Sequence, residues 1–532
     1  MRLQPAWAVH LRPGSSIPIE DEAARKYLRR GNLPEALLRG GPQPALVAGD
    51  LTLSHDQLRA AAEAAAGRLR TLGASRGMVV ALIAANCADW IISYLGLQLV
   101  GAMVVGMNPA FKEAEAEQIL SDSGAAMVLV DGATQPLIDS LRSRLPALRS
   151  IGRIEDIGPT HPPPRPSPTK RGEGEMQSEG IHETAARPSP TKRGEGETTP
   201  AELRPEDPAL LLYTSGTTGR PKGALLDHGN LLAQARGVVE AWRWRPEDRL
   251  VLALPLFHVH GLAIALNGSL VAGGCALLTP FTPENVIREL QAGGTMFFGV
   301  PAMYQRLAEY LEQNPADLSH VRLFVCGSAP LPATLFERCE RLLGQAPLER
   351  YGITEGGIVV SNPYDGPRQP GRVGYPLPGV EVRLGEADEV QLKGGQVFSG
   401  YWRDPTATAD VFRDGWFRTG DVGEIGADGT LAIRGRLKEL IISGGYNVYP
   451  REVEMVLEQH PAVAQVAVAG LPSERWGEEV TAFVVARTPV ESQALIAYAR
   501  ERLSTYKCPR EVRFVESIPR NAMGKVDRSK LQ

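Results

Sequence analysis

From residue 54 to 73 the apolar positions of SHDQLRAAAEAAAGRLRTLG recur at helical spacing and the segment ends on glycine, which predicts a helix. Residues 78–86, MVVALIAAN, are almost entirely apolar and predict a buried strand. The alternation repeats. Short apolar runs at 127–131, 209–214, 249–256, 295–300 and 321–328 are separated by helix-length segments. Strands alternating with helices predict large parallel α/β sheets. In open sheets of this kind ligands bind beyond the carboxyl ends of the strands, so the glycine-bearing turns after these runs are where chemistry is expected.

Two stretches, 90–111 and 250–281, carry no charged residue and are long enough to cross a bilayer. Gln98, Asn108, Pro109, Pro255, His258, His260, Asn267 and several glycines interrupt them, so they predict buried helix–strand units and no transmembrane helix. The pattern changes over 415–454, where glycine-punctuated alternation predicts β-hairpins, and the remaining residues predict a compact α+β unit. This places a boundary just after Arg436, between an N-terminal domain at 1–436 and a small C-terminal domain at 437–532. The segment from about 158 to 200 contains RPSPTKRGEGE twice, at 165–175 and 187–197, and almost no large apolar residue. It cannot bury enough surface to offset its conformational entropy and is expected to be a disordered surface insertion. Lys170, Arg171, Lys192 and Arg193 are interleaved with glutamates, which leaves little net charge for a basic docking arm.

At 532 residues and 57.4 kDa the chain exceeds what one core usually supports, in keeping with two domains. A hydrophobic share of 43% and a charged share of 22% fit a soluble enzyme, and a net charge of −4 argues against a nucleic-acid partner. Cys87, Cys275, Cys326, Cys339 and Cys508 show neither CxxC nor Cys/His ligand spacing, so no zinc site or disulfide framework is expected. A reducing cytoplasm suits such free thiols. The first thirty residues mix charged and apolar positions and predict no signal peptide.

The densest chemistry lies at 213–223, YTSGTTGRPKG, after the predicted strand at 209–214. Glycines allow backbone N–H groups to turn toward an anion without a Cβ in the way. Thr214, Ser215, Thr217 and Thr218 add hydroxyl donors and Lys222 a mobile positive charge. The pattern is not that of an ordinary P-loop: five positions on from Gly216 stands Pro221, and Lys222 is followed by Gly223 rather than Ser or Thr. The string resembles the phosphate loop of the AMP-forming adenylating superfamily, which includes acyl-CoA synthetases, luciferase-like enzymes and adenylation domains of peptide synthetases. The resemblance covers nearly the whole chain apart from the insertion. It includes LVGAMVVGMNP (99–109), PLFHVHGL (255–262), CGSAPLP (326–332), ERYGITEGG (349–357), WFRTGD (416–421), GRLKELIISGGYNVYP (435–450) and NAMGK (521–525).

The resemblance implies an α/β N-terminal domain with a β-rich subdomain, a small mobile α+β C-terminal domain, and a ligase that uses ATP, Mg2+ and coenzyme A. It assigns the triphosphate to Thr214, Ser215, Gly216, Thr217, Thr218, Gly219 and Lys222, and the metal to Glu355 beside Thr354; a carboxylate is the hard oxygen ligand that magnesium prefers. Adenine falls to Tyr351 and Gly352, with Gly327, Ser328 and Ala329 allowing close approach from the other side. Asp421 would accept from the ribose hydroxyls, supported by Arg436. Lys525 is implied as the catalytic lysine, offsetting charge between the carboxylate and the α-phosphate. Lys438 falls at the hinge position, and Gly444 and Gly445 would line the thiol tunnel.

The acceptor separates the alternatives. Coenzyme A makes the chain an acyl-CoA ligase, a carrier protein makes it a stand-alone adenylation enzyme, and oxygen a light-emitting oxygenase. Only seven residues follow Lys525, so no carrier domain is expected there, and a ligase using CoA is favoured. A non-catalytic binding protein would have lost Lys222, Glu355, Asp421 or Lys525, and all four are present. For the acid, RYGITEGGIVVSNPYDGPRQPGRVG (350–374) is similar to malonyl-CoA synthetases, which leaves malonate or methylmalonate open beside a fatty or aryl acid. A second carboxylate would need a cationic or hydrogen-bonding partner, and His258 and Arg322 are the candidates. Between Leu384 and Lys393 the chain is shorter than the family's usual hairpin, and Gly395 stands where proline is usual.

Overall fold

The computed structural model describes residues 5–158, 203–214, 221–443, 446–473, 475–520 and 526–531. The repeated segment expected to be an insertion lies outside them almost entirely. Nine strands form one sheet, in the order Tyr375–Pro376, Gly357–Ser361, Leu348–Ile353, Leu323–Cys326, Met296–Gly299, Arg249–Leu252, Cys275–Leu278, Pro44–Ala48 and Leu51–Ser54. Its centre, from Leu348–Ile353 to Pro44–Ala48, is parallel, and antiparallel strands close both edges. Seven strands form a second sheet, in the order Gly400–Tyr401, Lys222–Asp227, Pro208–Thr214, Met103–Met107, Val79–Ile83, Met127–Val130 and Ser150–Arg153. Five of these are parallel. Buried on both faces, strands such as Val79–Ile83 and Leu323–Cys326 have no position left for a polar side chain.

The helix His55–Thr71 begins where its sequence says it should: Ser54 accepts from the Gln57 backbone, and Gln57 reaches back to the Ser54 N–H. It packs on Ala88–Val100, a helix buried at every position. Gly96 makes that packing possible, because a Cβ there would lie 2.9 Å from the Cβ of Ala65. Thirteen residues rise only about 20 Å, short of a hydrocarbon core of about 30 Å. Among the described residues no helix is long and apolar enough to cross a membrane.

A five-stranded antiparallel sheet follows, built from Val380–Leu384, Glu389–Gly394, Phe412–Arg413, Trp416–Ile425 and Leu431–Arg436. After Arg436 a short turn, Leu437–Glu439, leads into another five-stranded sheet with its own apolar core, containing Ile441–Ser443, Tyr446–Val448, Val463–Ser473, Gly477–Ala486 and Glu511–Phe514. The architecture is α/β, with a large N-terminal body and a smaller C-terminal α+β unit. The carboxyl ends of Leu323–Cys326 and the tight turn after Leu348–Ile353 present their loops on the same edge of the nine-stranded sheet.

Candidate active site

Thr214 and Lys222 face each other as a cross-strand pair, with the Thr214 hydroxyl 3.4 Å from the Lys222 carbonyl. They form the base of the glycine-rich loop; Ser215, Gly216, Thr217, Thr218 and Gly219 lie outside the described residues. Lys222 Nζ sits 5.2 Å from the centre of the Tyr401 ring, an arrangement that holds an ammonium by the aromatic quadrupole. The Tyr401 hydroxyl in turn donates to Glu355 Oε1 at 2.9 Å. Tyr401 belongs to the edge strand Gly400–Tyr401, and its SGYW context in the sequence offered only an exposed-looking aromatic as a signal.

Glu355 stands in the turn of the hairpin formed by Leu348–Ile353 and Gly357–Ser361. Thr354 precedes it. Gly352 is required at the neck of this turn, since a Cβ there would lie 2.4 Å from the Gly357 carbonyl oxygen. Burial raises the pKa of the Glu355 carboxyl, while the Tyr401 hydroxyl and the positive charge of Arg436 oppose that rise. Among the described residues no cluster of three or more His, Cys, Asp or Glu has the arrangement of a metal site. A magnesium ion carried in by a triphosphate asks less of the protein: one or two carboxylates suffice, the phosphates and water supplying the rest. Glu355 fits that role.

Asp421 and Arg436 are paired across the strands Trp416–Ile425 and Leu431–Arg436. Arg436 Nε pairs with Asp421 Oδ1 as an ion pair at 2.9 Å, and the Tyr351 hydroxyl donates to Oδ2 at 2.6 Å. Asp421 is only 4% exposed, yet each oxygen keeps a second lone pair for another donor. Burial would lower the pKa of Arg436, but Asp421, Glu439 and the Tyr351 oxygen outweigh it and raise the value. Burial and the Asp421 charge hold the Tyr351 hydroxyl well above its ordinary value, so it stays a donor. Lys438, in the turn Leu437–Glu439, is exposed, and partial burial of its stem together with the Arg436 charge lowers its pKa.

Beyond the carboxyl end of Leu323–Cys326, Gly327 is buried while Ser328 and Ala329 are exposed. A Cβ on Gly327 would lie 2.5 Å from Nε of Arg350, the residue before Tyr351. Ser328 adopts the left-handed backbone (φ 69°), which non-glycine residues seldom take. Its hydroxyl lies 3.0 Å from Arg350 Nη2 and 3.4 Å from His260 Nδ1.

Two residues expected in the acyl pocket fare differently. His258 is half-buried with its ring 4.5 Å from that of Phe257. Arg322 does not serve an acyl pocket. It precedes Leu323–Cys326, at the amino end of the strand, opposite the edge where Ser328 emerges. Its Nε donates to Asp248 Oδ1 at 2.6 Å, its Nη2 to Asp248 Oδ2, and its Nη1 to the Trp242 carbonyl at 3.1 Å. All three nitrogens are engaged, by the Asp248 carboxylate and the Trp242 carbonyl, which commits the side chain to the scaffold at the amino end of the sheet. Lys525, Gly444 and Gly445 lie outside the described residues. On either side of residues 521–525, Arg520 and Val526 pair as an antiparallel bridge, and Arg528 donates to Glu439 Oε2 at 2.9 Å and to Glu454 Oε1 at 2.6 Å.

Residues 35–402 match the AMP-binding enzyme family, and residues 452–525 match the AMP-binding enzyme C-terminal domain. The chain is 34% identical over 507 residues to a long-chain-fatty-acid–CoA ligase of Bacillus subtilis, a match covering 90% of this chain and 89% of the relative. It is 33% identical over 504 residues to a mitochondrial malonate–CoA ligase of Xenopus laevis, covering 85% and 82%. The ATP-bound crystal structure of MatB from Rhodopseudomonas palustris is similar at a TM-score of 0.82 and 32% identity, over 94% of this chain and 98% of that one. Lys222 beside Tyr401, the Asp421–Arg436 pair and the carboxylate in the tight turn thus stand in a fold whose relatives are CoA ligases. The chain belongs to the AMP-binding enzyme family and is an AMP-forming acyl-CoA synthetase.

Proposed function

We propose that this synthetase works in two half-reactions on a short dicarboxylic acid, malonate or methylmalonate. In the first, a carboxylate oxygen of the acid attacks the α-phosphorus of ATP, and the bond to the bridging oxygen breaks as pyrophosphate leaves with the electron pair. In the second, the sulfur of coenzyme A attacks the acyl carbonyl carbon and AMP departs. The observation that carries this reading is the meeting of Lys222, Glu355, Tyr351, Asp421 and Arg436, from three sheets and a hairpin turn, at one place.

Each side chain has a role in this scheme. Thr214, Ser215, Gly216, Thr217, Thr218, Gly219 and Lys222 hold the β- and γ-phosphates, and Glu355 holds the magnesium that accompanies them. The ring of Tyr351 supports adenine with Gly327, Ser328, Ala329 and Gly352 around it, and Asp421 accepts from the ribose hydroxyls. Lys525 offsets the negative charge that gathers as the carboxylate meets the α-phosphate. The domain boundary falls just after Arg436, and rotation of the C-terminal unit about Lys438 brings Gly444 and Gly445 to the incoming thiol. The malonate–CoA ligase of Xenopus supports the choice of acid, and five free cysteines suit a cytoplasmic setting. The Bacillus fatty-acid ligase favours a second reading, a monocarboxylic fatty or aryl acid.

An ATP–pyrophosphate exchange assay against malonate, methylmalonate, acetate, octanoate, oleate and coumarate, each with and without CoA, tests both points. Acid-dependent exchange without CoA, with AMP and thioester released only when CoA is added, is the expected result. Exchange that requires CoA would overturn the adenylate intermediate. A preference for octanoate over malonate would remove the dicarboxylate.

A further inference from the structure

The segment from Phe398 to Trp402 is fastened to two other parts of the site at once. The Phe398 N–H donates to the Glu355 carbonyl at 2.7 Å, which ties the segment to the hairpin turn. Gly400 and Tyr401 pair antiparallel with Leu225 and Ala224, and the Trp402 N–H donates to the Gly223 carbonyl at 2.7 Å, which ties it to the strand that begins at Lys222. Tyr401 has little freedom within this bracket. Its N–H donates to the Thr408 hydroxyl at 2.9 Å, and its ring meets the buried ring of Phe398 edge-on with centroids 4.9 Å apart.

So held, one side chain serves two opposite charges. The ring takes the ammonium of Lys222 at 5.2 Å and the hydroxyl donates to Glu355 Oε1 at 2.9 Å. Among the described residues no ion pair joins Lys222 to Glu355. Left to themselves, a half-buried lysine and carboxylate that share a neighbour would attract each other, since the field between them is poorly screened by water. An ion pair there would cancel the charge that each needs for a ligand. A phenol satisfies both without neutralising either, because its π face attracts a cation while its O–H donates to an anion.

We propose that Tyr401 is a positioning residue that keeps Lys222 and Glu355 from pairing with each other, so that the first stays free for phosphate and the second for the metal that accompanies it. The proposal rests on the adenylating reading given above for those two residues. The hydroxyl orients the carboxylate and the ring orients the ammonium, so the two functions can be removed separately. Tyr401→Phe removes the first alone. Tyr401→Leu removes both.

The test is calorimetric titration of ATP into the protein without acid or CoA, once with magnesium and once in EDTA, so that binding is read and no turnover occurs. The wild type should bind ATP more tightly with magnesium. Tyr401→Phe should lower that magnesium gain about tenfold and leave metal-free binding unchanged. Tyr401→Leu should in addition weaken metal-free binding about tenfold, because Glu355 then captures Lys222. Adding Glu355→Gln to Tyr401→Leu should restore metal-free binding, a recovery that a merely structural role for the ring would not give. An undiminished magnesium gain in Tyr401→Phe, or no recovery in the double variant, overturns the proposal; the phenylalanine variant decides alone if the leucine variant does not fold. Wild-type ATP binding that neither magnesium nor Lys222→Ala alters would instead overturn the adenylating reading of Lys222 and Glu355.

Discussion

Two arginines at neighbouring strands of the nine-stranded sheet, Arg350 buried and Arg322 largely covered, have opposite fates. Arg322 lies at the amino end of Leu323–Cys326, where Asp248 takes two of its nitrogens and the Trp242 carbonyl a third. Arg350 lies in Leu348–Ile353, level with the carboxyl end of the adjacent strand, and no carboxylate meets it among the described residues. The first is a finished structural staple. The second is a cation without a counter-charge. In a parallel sheet the amino edge is tied together from within, whereas the carboxyl edge is left open for ligands, and the partners of these two side chains follow that division.

The contrast can be broken experimentally, beginning with the staple. Arg322→Ala would leave Asp248 buried and unpaired and should cost about 3–5 kcal/mol of stability, read as a fall in Tm and in the denaturant midpoint. The ratio of rates on malonate and octanoate, read on whatever protein remains folded, should not change. A shifted ratio at unchanged Tm would overturn the structural role assigned to Arg322.

The strand carrying Arg350 also supplies a test of pH. Burial raises the pKa of Glu349 from 4.5 to about 7, against the opposing Gly371 N–H and Arg451 charge. The native state therefore holds this proton more tightly than the unfolded chain. Its contribution to stability is complete below about pH 4.5 and disappears as pH rises through about 7, a difference on the order of 3 kcal/mol. Glu349→Gln, which can keep the bond from Gly371, should flatten that decline in denaturation curves taken between pH 5 and 8. An unchanged slope would show that the carboxyl titrates as it does in water.

The smallest expected effect concerns a site whose charges are already matched. Asp421→Asn should weaken ATP by about 1.5–3 kcal/mol, seen as a raised KM for ATP, and leave the ratio between acids where it was. If the ratio moved with it, the Asp421–Arg436 pair would have to touch the acid as well as the nucleotide.

Much of this was legible in the order of residues. The helical spacing at 54–73 and the apolar runs within 78–86 and 321–328 are local properties, and the structure carries them as helix and buried strands. Thr214, Lys222, Glu355, Asp421 and Arg436 were named through the family resemblance, each being a side-chain type that triphosphate, metal or ribose would call for, and their roles are part of the proposed function. Tyr401 was not, because it reaches Glu355 from an edge strand 46 residues away. The difference between Arg322 and Arg350 was not legible either. Both are cations beside apolar runs, and only the sheet, by setting one at its tied edge and the other at its open edge, decides which has a counter-charge. Sequence determined the chemistry available to this protein; tertiary structure decided which charges neutralise each other and which remain for a ligand, since that depends on distance through space and exclusion of water rather than on position along the chain.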